Sequence, residues 1–290
     1  MKKTVVAITF IMISLIAGCA AIPRYFLPDY VLPDYALPDP VLPDYILPDY
    51  ILPDTDDLPE PDVKDEVDIE EPLEIKIVPE AVIDSRPMVA LTFDDGPGEY
   101  TDFILDILER YGGRVTFFVL GYLLEEWEDT VRRAAKGGNE IANHTWVHHR
   151  MTLLSDQDVI ETIRTTSAAI GQITGLPPSS FFRPPFGLVD RRVADIAAEL
   201  GYAIVNWTVD TLDWLHRNSD HVYNVVMNSA REGSIILLHD IHATTAAAME
   251  RVIPGLIARG FQLVTVSELL AHRHGGHQPG RLFGNPGIAP

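Results

Sequence analysis

The sequence predicts an α/β domain whose parallel sheet is buried by helices, and three observations carry that expectation. The first is size: 290 residues suffice for a large hydrophobic core, and a single cysteine, Cys19, rules out an intrachain disulfide framework. The second is alternation. From Arg86 onward short apolar runs alternate with amphipathic stretches, as repeated βα units require. The third is that nearly every apolar run stops at a reactive side chain rather than a plain turn.

Along the chain, strands are expected at 88–93, 115–120, 140–143, 180–183, 203–209, 235–238 and 261–266, and helices at 100–111, 127–136, 157–173, 191–200, 222–230 and 245–258. Ser155, opening Ser-Asp-Gln-Asp ahead of Val159, Ile160 and Ile163, has the form of an N-cap with acidic first-turn residues. Seven strands leave two architectures open, a doubly wound open sheet and an incomplete barrel. The domain is expected over 86–272, and the Gly- and Pro-containing tail 273–290 is expected to be disordered.

Residues before 86 follow other rules. Lys2 and Lys3 precede an apolar run, 5–16, too short to span a bilayer but suited to the middle of an export signal. It ends in Ile16-Ala17-Gly18-Cys19, which resembles the bacterial lipobox; the resemblance implies removal of 1–18 as a lipoprotein signal peptide and a lipid anchor at Cys19 that holds the protein on a membrane. Leu-Pro-Asp then recurs six times at a period of five, starting at Leu27, Leu32, Leu37, Leu42, Leu47 and Leu52. Pentapeptide repeats can wind into β-helices, but a proline in each repeat removes a ladder donor and drives the preceding residue toward extended geometry. A disordered, Pro/Asp-rich, semi-rigid stalk is the better expectation, and as polyproline II the repeat would reach about 90 Å. The formal charge of −20 concentrates here, with −14 over 19–80 along with 12 of the 22 prolines, so 19–85 reads as an acidic linker. Such acidity argues against nucleic acid as a partner, because that affinity rests on Lys and Arg neutralising phosphates.

The chemistry lies at the expected strand ends. Asp94 and Asp95 follow Phe93, His144 follows Asn143, Arg183 closes its run, Asp210 follows Val209, and His239 and Asp240 follow Leu238. In parallel α/β architectures the carboxyl ends of the strands form one face, so these separated motifs converge on one cleft. His144 and His148, four apart, could offer imidazoles to one ion, and Asp95 would complete a three-ligand site with an open position, the arrangement of a catalytic metal. Asp94 could then act as base and His239 as acid, with Arg183 and Asp213 orienting them. The assembled reaction class is metal-assisted hydrolysis of a carbonyl compound. Singly, each motif has an ordinary structural explanation: Asp-Asp-Gly-Pro is a common turn, a His pair is unremarkable among ten histidines, and Trp214 and Leu237 suit a core. The case rests on order and joint placement. His149, His272, His274 and His277 read as bystanders.

Taken together, Thr92-Phe93-Asp94-Asp95-Gly96-Pro97, His144-Thr145-Trp146-Val147-His148, Arg183-Pro184-Pro185-Phe186, Asp210-Thr211-Leu212-Asp213-Trp214 and Leu237-Leu238-His239-Asp240 resemble, in order, the five motifs of the polysaccharide deacetylase family, also called the NodB-homology family or carbohydrate esterase family 4. The resemblance covers about 88–270. It implies a distorted (β/α) barrel, Asp94 as base, Asp95, His144 and His148 as ligands of a divalent metal (Zn2+, with Co2+ or Ni2+ as alternatives), and His239 as acid. It further implies that Arg183 supports Asp94, that Asp213 tunes His239, that Trp214 and Leu237 line an acetyl-methyl pocket, and that the backbone amide of Phe186 holds the oxyanion. Two positions depart from the usual pattern: Phe186 stands where tyrosine is common, and Leu215 where a basic or polar residue often follows the tryptophan. A backbone donor survives any side-chain change, whereas Leu215 would alter sugar contacts at the rim. The expected activity is removal of N-acetyl groups from a cell-wall or surface polysaccharide, peptidoglycan N-acetylglucosamine first, by an exported, membrane-anchored enzyme facing the wall or periplasm. Chitin oligomers, an exopolysaccharide and xylan are alternative substrates. A non-catalytic wall-binding lipoprotein and a metal-independent hydrolase of cyclic amides are the readings from other classes.

Overall fold

The computed structural model describes residues 85–284. The signal peptide, Cys19, nearly all of the linker and the last six residues of the tail lie outside the described residues. The elements run β1 (Met88–Asp94), α1 (Thr101–Tyr111), β2 (Thr116–Val119), α2 (Glu128–Lys136), β3 (Glu140–Asn143), α3 (Asp156–Thr174), β4 (Phe181–Phe182), α4 (Arg191–Glu199), β5 (Ala203–Val205), β6 (Val209–Asp210), α5 (Asp213–His216), α6 (Ser219–Ser229), β7 (Ser234–His239), α7 (Ala243–Ala258), β8 (Gln262–Leu263), α8 (Val266–His274) and β9 (Leu282–Phe283). Ser155 caps α3 as expected, its side chain accepting from the Asp158 amide at 3.2 Å. Thr265 and Glu268 form a capping box on α8, which the apolar pattern alone did not separate from the strand before it.

Every strand pairing is parallel, in the order β6-β7-β1-β2-β3-β4-β5-β9. The start of β1 also pairs with β8, through Met88–Gln262 and Val89–Leu263. The edge strands β6 and β9 do not pair with each other, which makes this an incomplete barrel rather than a doubly wound sheet.

Two expectations are corrected. The single strand expected over 203–209 is two: β5 pairs with β4 and β9, whereas β6 pairs with β7, so the chain crosses the barrel's opening between Val205 and Val209 and cannot keep one ladder. The tail is ordered as far as Gly284. Leu282–Phe283 add a strand beside β5, with Phe283 buried and its ring 6.3 Å from Phe181. The reason is an open edge: the Ile204 amide donates to the Arg281 carbonyl and the Asn206 amide to the Phe283 carbonyl, and both would lack these partners otherwise.

Side-chain alternation sets what faces inward. On β1, Val89, Leu91 and Phe93 join the helix-side core with Ile104, Leu108 and Leu256, while Met88 and Ala90 join a second cluster with Phe118, Ala142, Ala203 and Ile235 inside the barrel. Thr92 and Asp94 therefore share the interior face. On β7, Ile236 and Leu238 pack toward the helices, which leaves Leu237 and His239 on the same side as interior Ile235. Among the described residues no helix is long and apolar enough to cross a membrane.

Candidate active site

β1, β3, β4 and β7 end together on one face. Asp94 is directly paired in register with His239 across β1 and β7, so base and acid candidates sit on adjacent strand ends. Asp95 follows in a left-handed conformation (φ 70°), and Thr145 and His148 share that unusual geometry at 75° and 59°. Strained backbone of this kind persists only where surroundings over-determine it. Here they do: Asn143 anchors on the Ile163 carbonyl and Ser167 of α3 and accepts from the Thr145 amide, and Thr145 Oγ1 accepts from the His148 amide at 3.1 Å.

This loop brings Asp95, His144 and His148 together, with one potential ligand atom from each lying within 4.8 Å of the others. His144 Nε2 is 3.4 Å and His148 Nε2 3.3 Å from Asp95 Oδ1. His144 Nδ1–H donates to the Arg183 carbonyl at 2.7 Å, which fixes the tautomer and leaves Nε2 as a lone-pair donor. Asp95 Oδ1 is buried with no hydrogen-bond donor. A buried carboxylate oxygen with two imidazole nitrogens aimed at one point is the donor set a divalent cation requires. Burial would raise the Asp95 pKa, but the neighbouring imidazoles of His144, His148 and His239 hold it well below the usual carboxylate range. Burial pushes His148 down to about 4, with Asp95 opposing, so its ring is neutral at physiological pH.

Around this centre the other candidates are held tightly. Arg183 is fully buried under the Phe118 ring and donates from Nη1 to Asp94 at 2.6 Å and to Thr92 Oγ1 at 2.8 Å. Its remaining donors go to the Val205 and Asn206 carbonyls. Asp213 accepts four hydrogen bonds: from His239 Nδ1–H, the His239 amide, the Trp214 amide and the Thr245 hydroxyl. Burial alone would lower the His239 pKa, but the buried Asp213 carboxylate outweighs it and lifts His239 to about 10, so the imidazolium stands ready as a proton donor.

Phe186 adopts φ 62° and packs edge-on against His148 at 4.6 Å. Two prolines precede it, so its amide is the first donor after Arg183, and that amide makes no hydrogen bond within the described residues. Trp214 remains 42 % exposed at the start of α5, while Leu237 is 3 % exposed on the His239 side of β7. Asp94, Asp95, His144, His148, Arg183, Asp213, Phe186 and His239 are linked by these contacts, while Trp214 follows Asp213 in sequence and Leu237 is paired in register with Thr92. Thr245 and Asn206 were not anticipated. Nothing in the sequence around Thr245 flags it, but the polar Asn206 interrupting an apolar run at 203–209 was a visible signal.

Residues 82–205 match the family model described as Polysaccharide deacetylase. A peptidoglycan-N-acetylglucosamine deacetylase from Listeria monocytogenes is 38 % identical over 205 residues, covering 70 % of this chain but 43 % of that protein, so the chain spans less than half that relative's length. A Bacillus cereus peptidoglycan-N-acetylglucosamine deacetylase is 35 % identical over 199 residues, 67 % of this chain and 92 % of that protein. The structure of a peptidoglycan deacetylase from Bacillus subtilis superposes with a TM-score of 0.62 at 38 % identity, covering 66 % of this chain and 93 % of that one.

Proposed function

The chain belongs to the polysaccharide deacetylase family, and from that membership and the site's geometry we propose that it hydrolyses N-acetyl groups of a cell-wall glycan, peptidoglycan N-acetylglucosamine first, releasing acetate. The observation that carries this reading is the convergence of a held carboxylate, Asp94, and a held imidazole, His239, on adjacent strand ends beside the Asp95–His144–His148 cluster, 3.7 Å from His144 Nε2 and 3.9 Å from Asp95 Oδ2 respectively.

Those three residues would hold a divalent ion, Zn2+ first with Co2+ or Ni2+ as alternatives, which would supply Lewis-acid polarisation of the scissile carbonyl and acidify the attacking water. The protein's own groups do the rest. Asp94 Oδ2 faces the cluster, 3.7 Å from His144 Nε2, while Oδ1 is gripped by Arg183; the free oxygen is positioned to take the proton from water as it attacks the amide carbon. The unused Phe186 amide supports the oxygen on which negative charge develops. His239 donates its Nε2 proton to the departing sugar amine, and Asp213 stabilises the imidazolium beforehand and sets its orientation. Trp214 and Leu237 flank the place where the acetyl methyl would lodge.

The substrate assignment draws on the relatives' activities and on location. A lipid anchor at Cys19, a signal over 1–18 and an acidic stalk over 19–85 would place the domain of 86–272 outside the membrane, where the wall is the first glycan it meets. Chitin oligomers, exopolysaccharide and xylan are the competing substrates. The test is acetate release from peptidoglycan, chitin oligomers and acetylated xylan by the purified protein, with Zn2+ and after chelation. Metal-dependent release ranks the substrates; bound metal with no release from any glycan would overturn the enzyme reading and leave wall binding.

A further inference from the structure

Asn206 lies in the crossing between β5 and β6, fully buried, and no step above employs its side chain. Its Nδ2 donates to the Gly187 carbonyl at 3.0 Å. Gly187 follows Phe186, and both are left-handed, at 67° and 62°. Within that turn the bonds are local: the Gly187 amide donates to the Pro184 carbonyl and the Leu188 amide to the Pro185 carbonyl. The Phe186 ring is 46 % exposed, and its edge contact with His148 at 4.6 Å is to a side chain rather than to the barrel backbone. Among the described residues, the Asn206 amide is thus the hydrogen bond that ties the turn to the barrel interior. Packing agrees, since a Cβ at Gly187 would lie 2.9 Å from Trp207 and 3.2 Å from Asn206 Nδ2, leaving no room for the turn to shift inward.

The backbone of Asn206 reaches further. Its carbonyl accepts from Arg183 Nη2 at 3.1 Å, and its amide donates to Phe283 of β9 at 2.8 Å. Asn206 Oδ1 is buried with no donor, a cost that an apolar residue would avoid, so the side chain's value lies in its donor end. We propose that Asn206 is a positioning residue that holds the Phe186 amide where the oxyanion forms and, through Arg183, keeps that donor in register with Asp94. The proposal rests on the deacetylase reading and on Phe186 as oxyanion donor.

The test uses the full chain loaded with Zn2+ and compares wild type with Asn206→Ala and the isosteric Asn206→Asp. Steady-state acetate release from N-acetylglucosamine oligomers gives kcat and KM, and a methylphosphonamidate analogue of the oligomer gives Ki for a tetrahedral mimic. Expected are a fall in kcat of about 10- to 100-fold, KM within about two-fold, retained metal, and a rise in Ki parallel to the loss of kcat. Asn206→Ser, whose side chain is too short to reach Gly187, carries the same criteria where the other two fail to fold. Unchanged kcat, a rise in KM alone, or loss of metal together with kcat would each overturn the proposal. A wild type that releases no acetate would instead overturn the enzyme reading itself.

Discussion

Asp94 and Asp95 are neighbours of identical chemistry, and their surroundings alone separate them. Asp94, buried and gripped by Arg183, has a shape fixed for accepting a proton; Asp95, turned by its left-handed backbone, faces two imidazoles. Asp94→Asn should therefore retain metal while kcat falls by about 100- to 10,000-fold, read from acetate release alongside metal analysis; equal activity would remove Asp94 from the mechanism. His239 and Asp213 make a second prediction through pH. The folded pKa of His239, about 10, lies above its ordinary 6.5, so the stabilisation it receives from Asp213 is complete below about pH 6.5 and is lost as pH rises through about 10. Asp213 is shifted the other way: burial would raise its pKa, but His239 and the other donors hold it below 3.8, so its contribution survives until strong acid. In metal-free protein, Asp213→Asn should cost about 3 kcal/mol by urea unfolding at pH 6 and distinctly less at pH 10.5. A cost independent of pH would mean the pair is not an ion pair.

At the level of elements, the site is assembled by strand ends and corrected by the strand that closes the edge. The carbonyls of Arg281, just before β9, and Phe283, within it, accept from Ile204 of β5 and Asn206 of the crossing, and Phe283 is buried against Phe181. Phe283→Ala should destabilise the domain by about 3 kcal/mol in denaturant unfolding, whereas a change within about 0.5 kcal/mol would show that the tail merely lies against the barrel. This element also marks what could be read in advance. The alternation of runs located β1, β2, β3, β7 and their helices, because strands buried on both faces must be continuously apolar and their covering helices amphipathic. The reactive residues at their ends were legible only jointly, since each has an ordinary structural explanation and their order at successive strand ends singles them out. What escaped were short elements specified by tertiary contact: β9 is two residues long, and its Gly- and Pro-rich approach resembles any free terminus. The split of 203–209 into β5 and β6 depends on which strands become neighbours, and no local pattern encodes that. Asn206 and Thr245 support the site from segments without motif character, and their roles exist only once the barrel brings them to Gly187 and Asp213.

Across the whole molecule, the charge is unevenly divided, with −14 over 19–80 and −8 over 81–290, and the proposed tether lies in the more acidic part. An anchored enzyme acts on a solid wall only within the reach of its tether, while a soluble oligomer diffuses to it freely. The Leu-Pro-Asp repeat, if extended, sets that reach: deleting residues 27–51 removes five of the six repeats and about 80 Å of polyproline II length while leaving the proposed lipid attachment at Cys19 and the catalytic domain intact. The deletion should leave kcat and KM on N-acetylglucosamine oligomers unchanged and lower the deacetylated fraction of wall glycan in cells. Cys19→Ser, which removes the attachment instead, should move the protein from the membrane to the soluble fraction with the same oligomer kinetics. Equal wall deacetylation by the full-length and shortened chains would show that reach is not limiting and that the repeat's length is immaterial to function. A loss of oligomer turnover on deletion would place the repeat in contact with the catalytic domain, contrary to a spacer.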